Sequence, residues 1–358
     1  MRMQLHKSLL LGISFAGILS SCTDPVEYKT PIPTKSDMRF LVLNEGQFGQ
    51  STASVSCVDY QNEVTNDLFR TMNNRPLGDV AQSMAEIGDK YYFVLNNSRK
   101  IEVVMSKDMV SYATIALPQG IVPAYITYLG GDSIALGERD LLDRTGKLYI
   151  IDIAQGKTRR SLDIGSATQC VEVAGKLFVP GNKLRVLTLG SMAADKMREI
   201  KDSEGNSIAT NGDAQLVKDA NNHLWTLTAN KLICIDVAKE KVLKEISISD
   251  LAIEWNSRLG ISQTKNILYF TARKGAAEGV AKFAITDTNA PSDLIFSYSD
   301  KVKQQYNFVV SHEGEDTFLV CDATDFASRG FVYEFTNQGE FLNRFEVGIT
   351  PQYVHLLK

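Results

Sequence analysis

Amide side chains recur close to the start of apolar, strand-like runs at Gln82, Gln169, Gln215, Asn307 and Gln352. An amide offers both donors and acceptors, so a ring of them suits a neutral ligand that itself carries many amides. The plain alternative is that they hydrate a channel and satisfy strand ends. Arg75, Arg139 and Arg258 stand in comparable stretches, where a crown of guanidinium groups would hold an anion. Acidic neighbours nearly match the arginines in number, which favours a solvated, salt-bridged rim. Trp255, Tyr306 and Phe326, with Phe48 and Tyr125, offer flat apolar contact to a ligand, or packing between structural units.

Signals for catalysis are thin. His223, His312 and His355 lie far apart in the chain, and no HExxH, GxSxG or phosphate-binding loop is present. His223 falls in an expected turn and reads as solvent-exposed. The Asp322-Ala323-Thr324-Asp325 stretch is too short for a calcium loop. The residues therefore point to a binding protein without cofactor or metal rather than to an enzyme. Cys57, Cys170, Cys234 and Cys321 match no zinc or CxxC spacing, and each sits in a hydrophobic run. Buried free thiols are the expectation; one disulfide stays open, with no basis for choosing its partners.

The 358 residues carry 38 Lys+Arg against 42 Asp+Glu, a net charge of -4, and are 44% hydrophobic. This balance excludes general disorder, and a mild negative charge argues against nucleic acid as a partner. The first segment stands apart from the fold. Arg2 and Lys7 flank the start of an apolar run from Leu9 to Leu19, followed by Ser20-Ser21-Cys22. That is the layout of a secretory signal, and the run is too short to span a bilayer. Leu19-Ser20-Ser21-Cys22 resembles a bacterial lipobox, which implies cleavage before Cys22 and its diacylation; an ordinary signal with a chance cysteine is the alternative. Residues 1–21 then form the signal and 22–38 a lipidated tether stiffened by Pro25, Pro31 and Pro33. Asp24 and Glu27 resemble the acidic export signal of Bacteroidota surface lipoproteins, implying an outer-membrane anchor facing the cell surface.

From residue 40 onward, short alternating strands are separated by turn residues, with hardly any helical periodicity. A tight turn followed by a buried strand recurs at Gly88–Val94, Gly130–Leu136, Ala174–Val179, Asn221–Leu227, Lys265–Phe270 and Glu315–Val320. Successive units start roughly 40 to 50 residues apart, the period of a four-stranded propeller blade. Six complete units fill about 79 to 349. Phe40–Asn44, Ala53–Asp59 and Asn66–Arg70 supply three further strands without an innermost one, and Thr350–Leu357 supplies a lone strand. Joined, they predict an all-β, seven-bladed β-propeller over residues 39–358, closed by pairing the C-terminal strand with the N-terminal blade. In such a ring the amides, arginines and aromatics named above fall on loops converging around the central channel.

Phe40-Leu41-Val42-Leu43-Asn44-Glu45-Gly46, Leu77-Gly78-Asp79-Val80 and Gly88-Asp89-Lys90-Tyr91-Tyr92, running on to Asn96-Asn97-Ser98-Arg99-Lys100-Ile101-Glu102-Val103, define the scaffold. Together they resemble exported Bacteroidota propeller lipoproteins related to the YncE-like surface-layer propellers. Some of these relatives capture corrinoids and pass vitamin B12 to a TonB-dependent outer-membrane transporter. The resemblance implies a corrinoid ligand, such a transporter as partner, and membrane attachment through lipid only. It supplies no ligand residues, so the site rests on loop position. A ferric-siderophore carrier and a non-transport adhesive or structural propeller binding protein or glycan remain alternatives.

Overall fold

The computed structural model describes residues 33–139, 146–164, 169–190, 197–210 and 215–357. The expected signal peptide, Cys22 and most of the expected tether lie outside these residues. Among them no helix is long and apolar enough to cross a membrane. The strands group into seven antiparallel four-stranded sheets, and the chain closes as a seven-bladed propeller.

Blades 1 to 6 follow in chain order. Their innermost strands are Ala81–Ile87, Pro123–Gly130, Val171–Val173, Val217–Lys218, Leu259–Ile261 and Gln305–Ser311. The closing blade takes its inner strand, Pro351–Leu356, from the C-terminus. Its second and third strands, Met38–Asn44 and Ser54–Asp59, come from the other end of the chain. Phe40 pairs with Leu356 and Val42 with Val354 across the seam.

Burial peaks at the second and third strands of a blade and falls off at the outer one, and the sequence pattern follows it. The second strand of blade 1, Lys90–Leu95, is buried at every position after its first, because neighbouring blades cover both faces. Its outer strand, Ser111–Ala116, alternates between half-buried and exposed, as a strand with one wet face must. Seven apolar clusters result, one for each contact between successive blades. Phe40, Val42 and Val354 meet Leu319, Val332 and Phe345 of blade 6 on one side of the closing blade. Leu41, Leu43 and Val55 meet Met84, Tyr91 and Phe93 of blade 1 on the other. The seam is thus packed like any other blade contact, and it closes the ring.

One expected strand is absent. Asn66–Arg70 does not form the outer strand of the closing blade; that strand is only Val64–Thr65, and a helix, Leu68–Asn73, follows. Asp67 and Asn74 flank the helix in the left-handed region, which breaks the extended run at both ends. Leu68 and Phe69 are fully buried in the cluster shared by the closing blade and blade 1. Tertiary packing of these two side chains therefore overrides the strand-like composition. The four cysteines are free and buried.

Candidate functional site

Strands alternate in direction, so the turns between second and third strands share one face with the loops leading into each blade. We call this the upper face. On it the first residues of the inner strands follow one plan. The register slips by one residue at Gln82, Ala124, Tyr306 and Gln352, in blades 1, 2 and 6 and the closing blade. Each is the extra residue of a β-bulge, which re-aims its side chain relative to the pleat.

Two residues before each bulge, a carbonyl accepts the N–H that begins the loop after the second strand. The bonds run from Asn96 to Val80, Arg139 to Val122, Ala323 to Gln304 and Glu45 to Thr350, at 2.7–3.1 Å. Val80 and Thr350 hold φ of 56° and 55°. A β-branched residue in the left-handed region is strained by about 1–3 kcal/mol, and such strain concentrates at functional sites. Both lie on the upper face, in adjacent blades.

In blades 1 and 6 the residue after the bulge ties its blade to the next one. Ser83 Oγ donates to the Ala124 carbonyl at 2.6 Å, and Asn307 Nδ2 to the Gln352 carbonyl at 2.8 Å. Arg258 makes the equivalent tie in blade 5, to the carbonyl of Tyr306, the bulge residue of blade 6. It is 2% exposed and donates from Nη2 to the Tyr306 carbonyl at 2.9 Å. Asn256 and Gln305 form a reciprocal pair across the same boundary, at 3.0 and 2.9 Å.

The amides expected to form one ring therefore divide by one residue of phase. Gln82 and Gln352 are bulge residues, whereas Asn307 is an inter-blade tie. Gln352 is 8% exposed, and its enclosed Oε1 has no hydrogen-bond partner among the described residues. Gln169 spends its Nε2 on the Ile126 carbonyl at 2.8 Å and on Thr127 Oγ1 at 3.0 Å, again between blades. Gln215 is half-buried beside residues outside the described set.

The cations divide too. Arg75 lies over the Phe69 ring at 4.8 Å and donates from Nη2 to Glu102 at 2.6 Å and to Ser111 at 2.9 Å. Glu102 is fully buried and also receives Lys100 at 2.9 Å. Burial alone would raise this carboxyl, but hydrogen bonds from Arg75, Ser111 and Lys100 outweigh it and hold the pKa below the usual carboxylate range. Arg75 thus braces blade 1 away from the aromatic residues. Arg139 is half-buried, with Nη1 donating to Tyr125 Oη at 2.8 Å.

The aromatics form an arc on the upper face. Tyr306, a bulge residue, meets Phe326 edge-on at 5.6 Å and donates its hydroxyl to Glu45 at 2.7 Å. Trp255 precedes Asn256, whose amide holds the strand of Tyr306. Phe48 lies in the loop begun by Glu45, and that loop is fastened to blade 1 by Gly49 N–H donating to Asp79 at 2.9 Å. Trp255, Phe326 and Phe48 are 54%, 42% and 73% exposed, so large rings stand in solvent from blade 5 through to the closing blade.

Their supports are rigid. Phe326 sits inside a turn whose Asp325 accepts from Ala327 and Ser328; those backbone N–H groups hold its carboxyl at about 2. Trp255 lies in a turn closed by Ser257 and Glu254, and Arg273 Nε grips Glu254 at 2.8 Å. Exposed aromatics on fixed turns lose little entropy when a ligand covers them. A cleft of about 250 Å³, lined in part by Ser54, Asp67, Arg70 and Arg329, opens off-axis beside the helix rather than at the arc.

Sequence reasoning placed Trp255, Tyr306 and Phe326 together but missed the partners that hold them. Glu45, Asn256 and Ser83 give no signal in sequence, because their role is set by which carbonyl lies across the blade boundary. On the lower face the histidines are half-buried against carboxylates. His312 meets Asp316 at 3.0 Å and His355 meets Glu86 at 2.9 Å. His223, expected to be solvent-exposed, is half-buried and lies 3.5 Å from Asp219. Among the described residues Asp219, His223 and Cys234 form a group that could hold a metal ion.

Residues 39–329 match the domain of unknown function DUF5074, and the chain belongs to that family. No curated protein sequence matches it significantly. Solved propellers resemble it in fold. A quinoprotein alcohol dehydrogenase-like protein from Bacteroides thetaiotaomicron aligns with TM-score 0.68 and 12% identity, covering 91% of this chain and 79% of that one. The periplasmic gluconolactonase of Pseudomonas aeruginosa aligns with TM-score 0.65 and 14% identity, over 90% and 99%. BamB from Moraxella catarrhalis gives TM-score 0.52 and 13% identity, over 88% and 84%. At such identities the likeness shows the fold alone.

Proposed function

We propose that this DUF5074 propeller is a non-enzymatic lipoprotein that captures a corrinoid on its upper face. It is anchored in the outer membrane through Cys22 and hands its cargo to a TonB-dependent transporter. The observation that carries the reading is the arc of exposed, rigidly mounted aromatics beside the amide bulge residues Gln82 and Gln352. A corrin presents a broad apolar face and a fringe of primary amides. Trp255, Phe326 and Phe48 cover the face, while Gln82 and Gln352 exchange hydrogen bonds with the fringe. Strain at Val80 and Thr350 next to those bulges is the kind stored at binding sites.

A ferric siderophore is less well served. An anionic chelate needs unengaged cations, and Arg75 and Arg258 are committed to Glu102 and to the Tyr306 carbonyl. Hydrolysis of a lactone, the activity named for one structural neighbour, needs an acid and a base that the arc does not pair; Glu45 there accepts from Tyr306.

The test mixes purified protein with excess cyanocobalamin, removes free ligand by gel filtration and reads the visible absorbance of the protein peak. A stoichiometric coloured peak is expected. A colourless peak would exclude corrinoid capture and move the test to ferric siderophores at low and high salt.

A further inference from the structure

On the lower face, the turn joining the inner and second strands of blade 4 brings together three donors of different kinds. Asp219 and Cys234 are each 2% exposed, and His223 keeps an edge in solvent. The carboxylate oxygen, imidazole nitrogen and thiol sulfur all lie within 4.8 Å of one another. Asp219 is locked in place by its own turn: Oδ1 accepts the N–H groups of Asn221 and His223, both at 2.8 Å. Oδ2 accepts the Trp225 indole N–H at 2.9 Å and lies 3.5 Å from His223 Nδ1. Trp225 and Cys234 are cross-strand partners, which sets the thiol beside the carboxylate that the indole orients.

We propose that Asp219 Oδ2, His223 Nδ1 and Cys234 Sγ bind a single zinc-class metal ion, with the fourth position open to solvent beside His223. Zinc–nitrogen and zinc–oxygen bonds of about 2.0–2.2 Å in a tetrahedron place neighbouring donors about 3.3–3.6 Å apart. The 3.5 Å between His223 and Asp219 already fits that edge. One sulfur, one nitrogen and one oxygen donor select zinc or cobalt over magnesium or calcium, which take oxygen alone. The Trp225 N–H to the ligating carboxylate supplies the outer-shell bond that such sites use to orient a ligand. As the metal–sulfur bond forms, the thiol proton of Cys234 leaves to solvent, so the bound state holds thiolate, carboxylate and neutral imidazole. The site lies on the face opposite the aromatic arc and does not depend on what the arc binds.

The test uses the full chain after chelator treatment, titrated with cobalt(II) alone. One equivalent is expected to raise a near-ultraviolet sulfur-to-cobalt charge-transfer band, which zinc then abolishes by displacement. Cys234→Ser removes the band, while Cys321→Ser, altering a buried thiol in blade 6, leaves it intact. His223→Ala weakens cobalt binding by about tenfold or more. Asp219→Asn, which keeps an oxygen for the turn N–H groups but gives up the acceptor for Trp225, does the same, with a melting curve reporting that the blade stays folded. Absence of a band at stoichiometric cobalt, or a band that survives Cys234→Ser, would overturn the site.

Discussion

Asn307 and Gln352 are chemically alike, lie near the same end of neighbouring inner strands and have opposite roles, so replacing each should give opposite results. Asn307→Leu keeps the side-chain volume but removes two bonds, from Nδ2 to the Gln352 carbonyl and from the Phe308 N–H to Oδ1, both 2.8 Å. The groups left behind belong to residues 8% and 1% exposed, so water cannot replace the lost partner. Orphaning a buried polar group costs about 1–3 kcal/mol, and the pair should cost about 2–4 kcal/mol. For a domain of this size that lowers the melting temperature by about 3–6 °C. Gln352→Met removes an acceptor that has no donor, so stability should change by less than about 0.5 kcal/mol or rise slightly. The same variant also removes the Gln352 Nε2 donors and should weaken cyanocobalamin by about tenfold, the worth of one hydrogen bond to the ligand. Melting curves and ligand titrations of the two variants decide the matter. A stable Asn307→Leu protein, or a Gln352→Met protein destabilised as much as it, would refute the division into ties and bulges.

Further outcomes follow from the same geometry. Arg258→Met and Ser83→Ala sever equivalent ties and should each destabilise by about 1–3 kcal/mol, read as a lower melting temperature. Glu102 has a depressed pKa when folded, so its contribution is present above the unfolded value and is lost as pH falls through the folded one. Wild type should therefore lose stability on acidification more steeply than Glu102→Gln, in melting curves taken across the carboxylate range. Burial pushes the thiols of Cys57, Cys170 and Cys234 up to about 12 and raises Cys321 as well. In the folded, metal-free protein these four thiols should accordingly react with a thiol reagent only after denaturant is added; rapid reaction of any one of the four would contradict its burial.

The repeat was legible because it is written in burial. A turn such as Gly88-Asp89 followed by a strand buried on both faces leaves an apolar run that recurs with every blade. The seam was legible for the same reason, since Phe40-Leu41-Val42-Leu43 needs cover on both faces and the lone C-terminal strand supplies an edge. Asn66–Arg70 was misread because Leu68 and Phe69 have strand-like composition, while the left-handed residues that end the run, Asp67 and Asn74, are ordinary in sequence. The amide ring shows a subtler limit. A bulge shifts phase by one residue without changing composition, so Gln82 and Asn307 look equivalent along the chain and are not. Arg75 and Arg258 read as surface cations because their acceptors, Glu102 and a backbone carbonyl, come from distant segments.

The chain has two tryptophans, and they lie in different environments: Trp225 is 1% exposed in blade 4, and Trp255 is 54% exposed on the arc. The most direct measurement is a cyanocobalamin titration of the Trp225→Phe variant, following Trp255 emission with free N-acetyltryptophanamide as the control for absorption by the ligand. The account predicts saturable quenching that ends at one equivalent and is weakened at least about tenfold by Phe326→Ala, a half-exposed change with little effect on stability. Quenching no greater than the control at every concentration, or saturation untouched by Phe326→Ala, would contradict corrinoid capture on the aromatic arc.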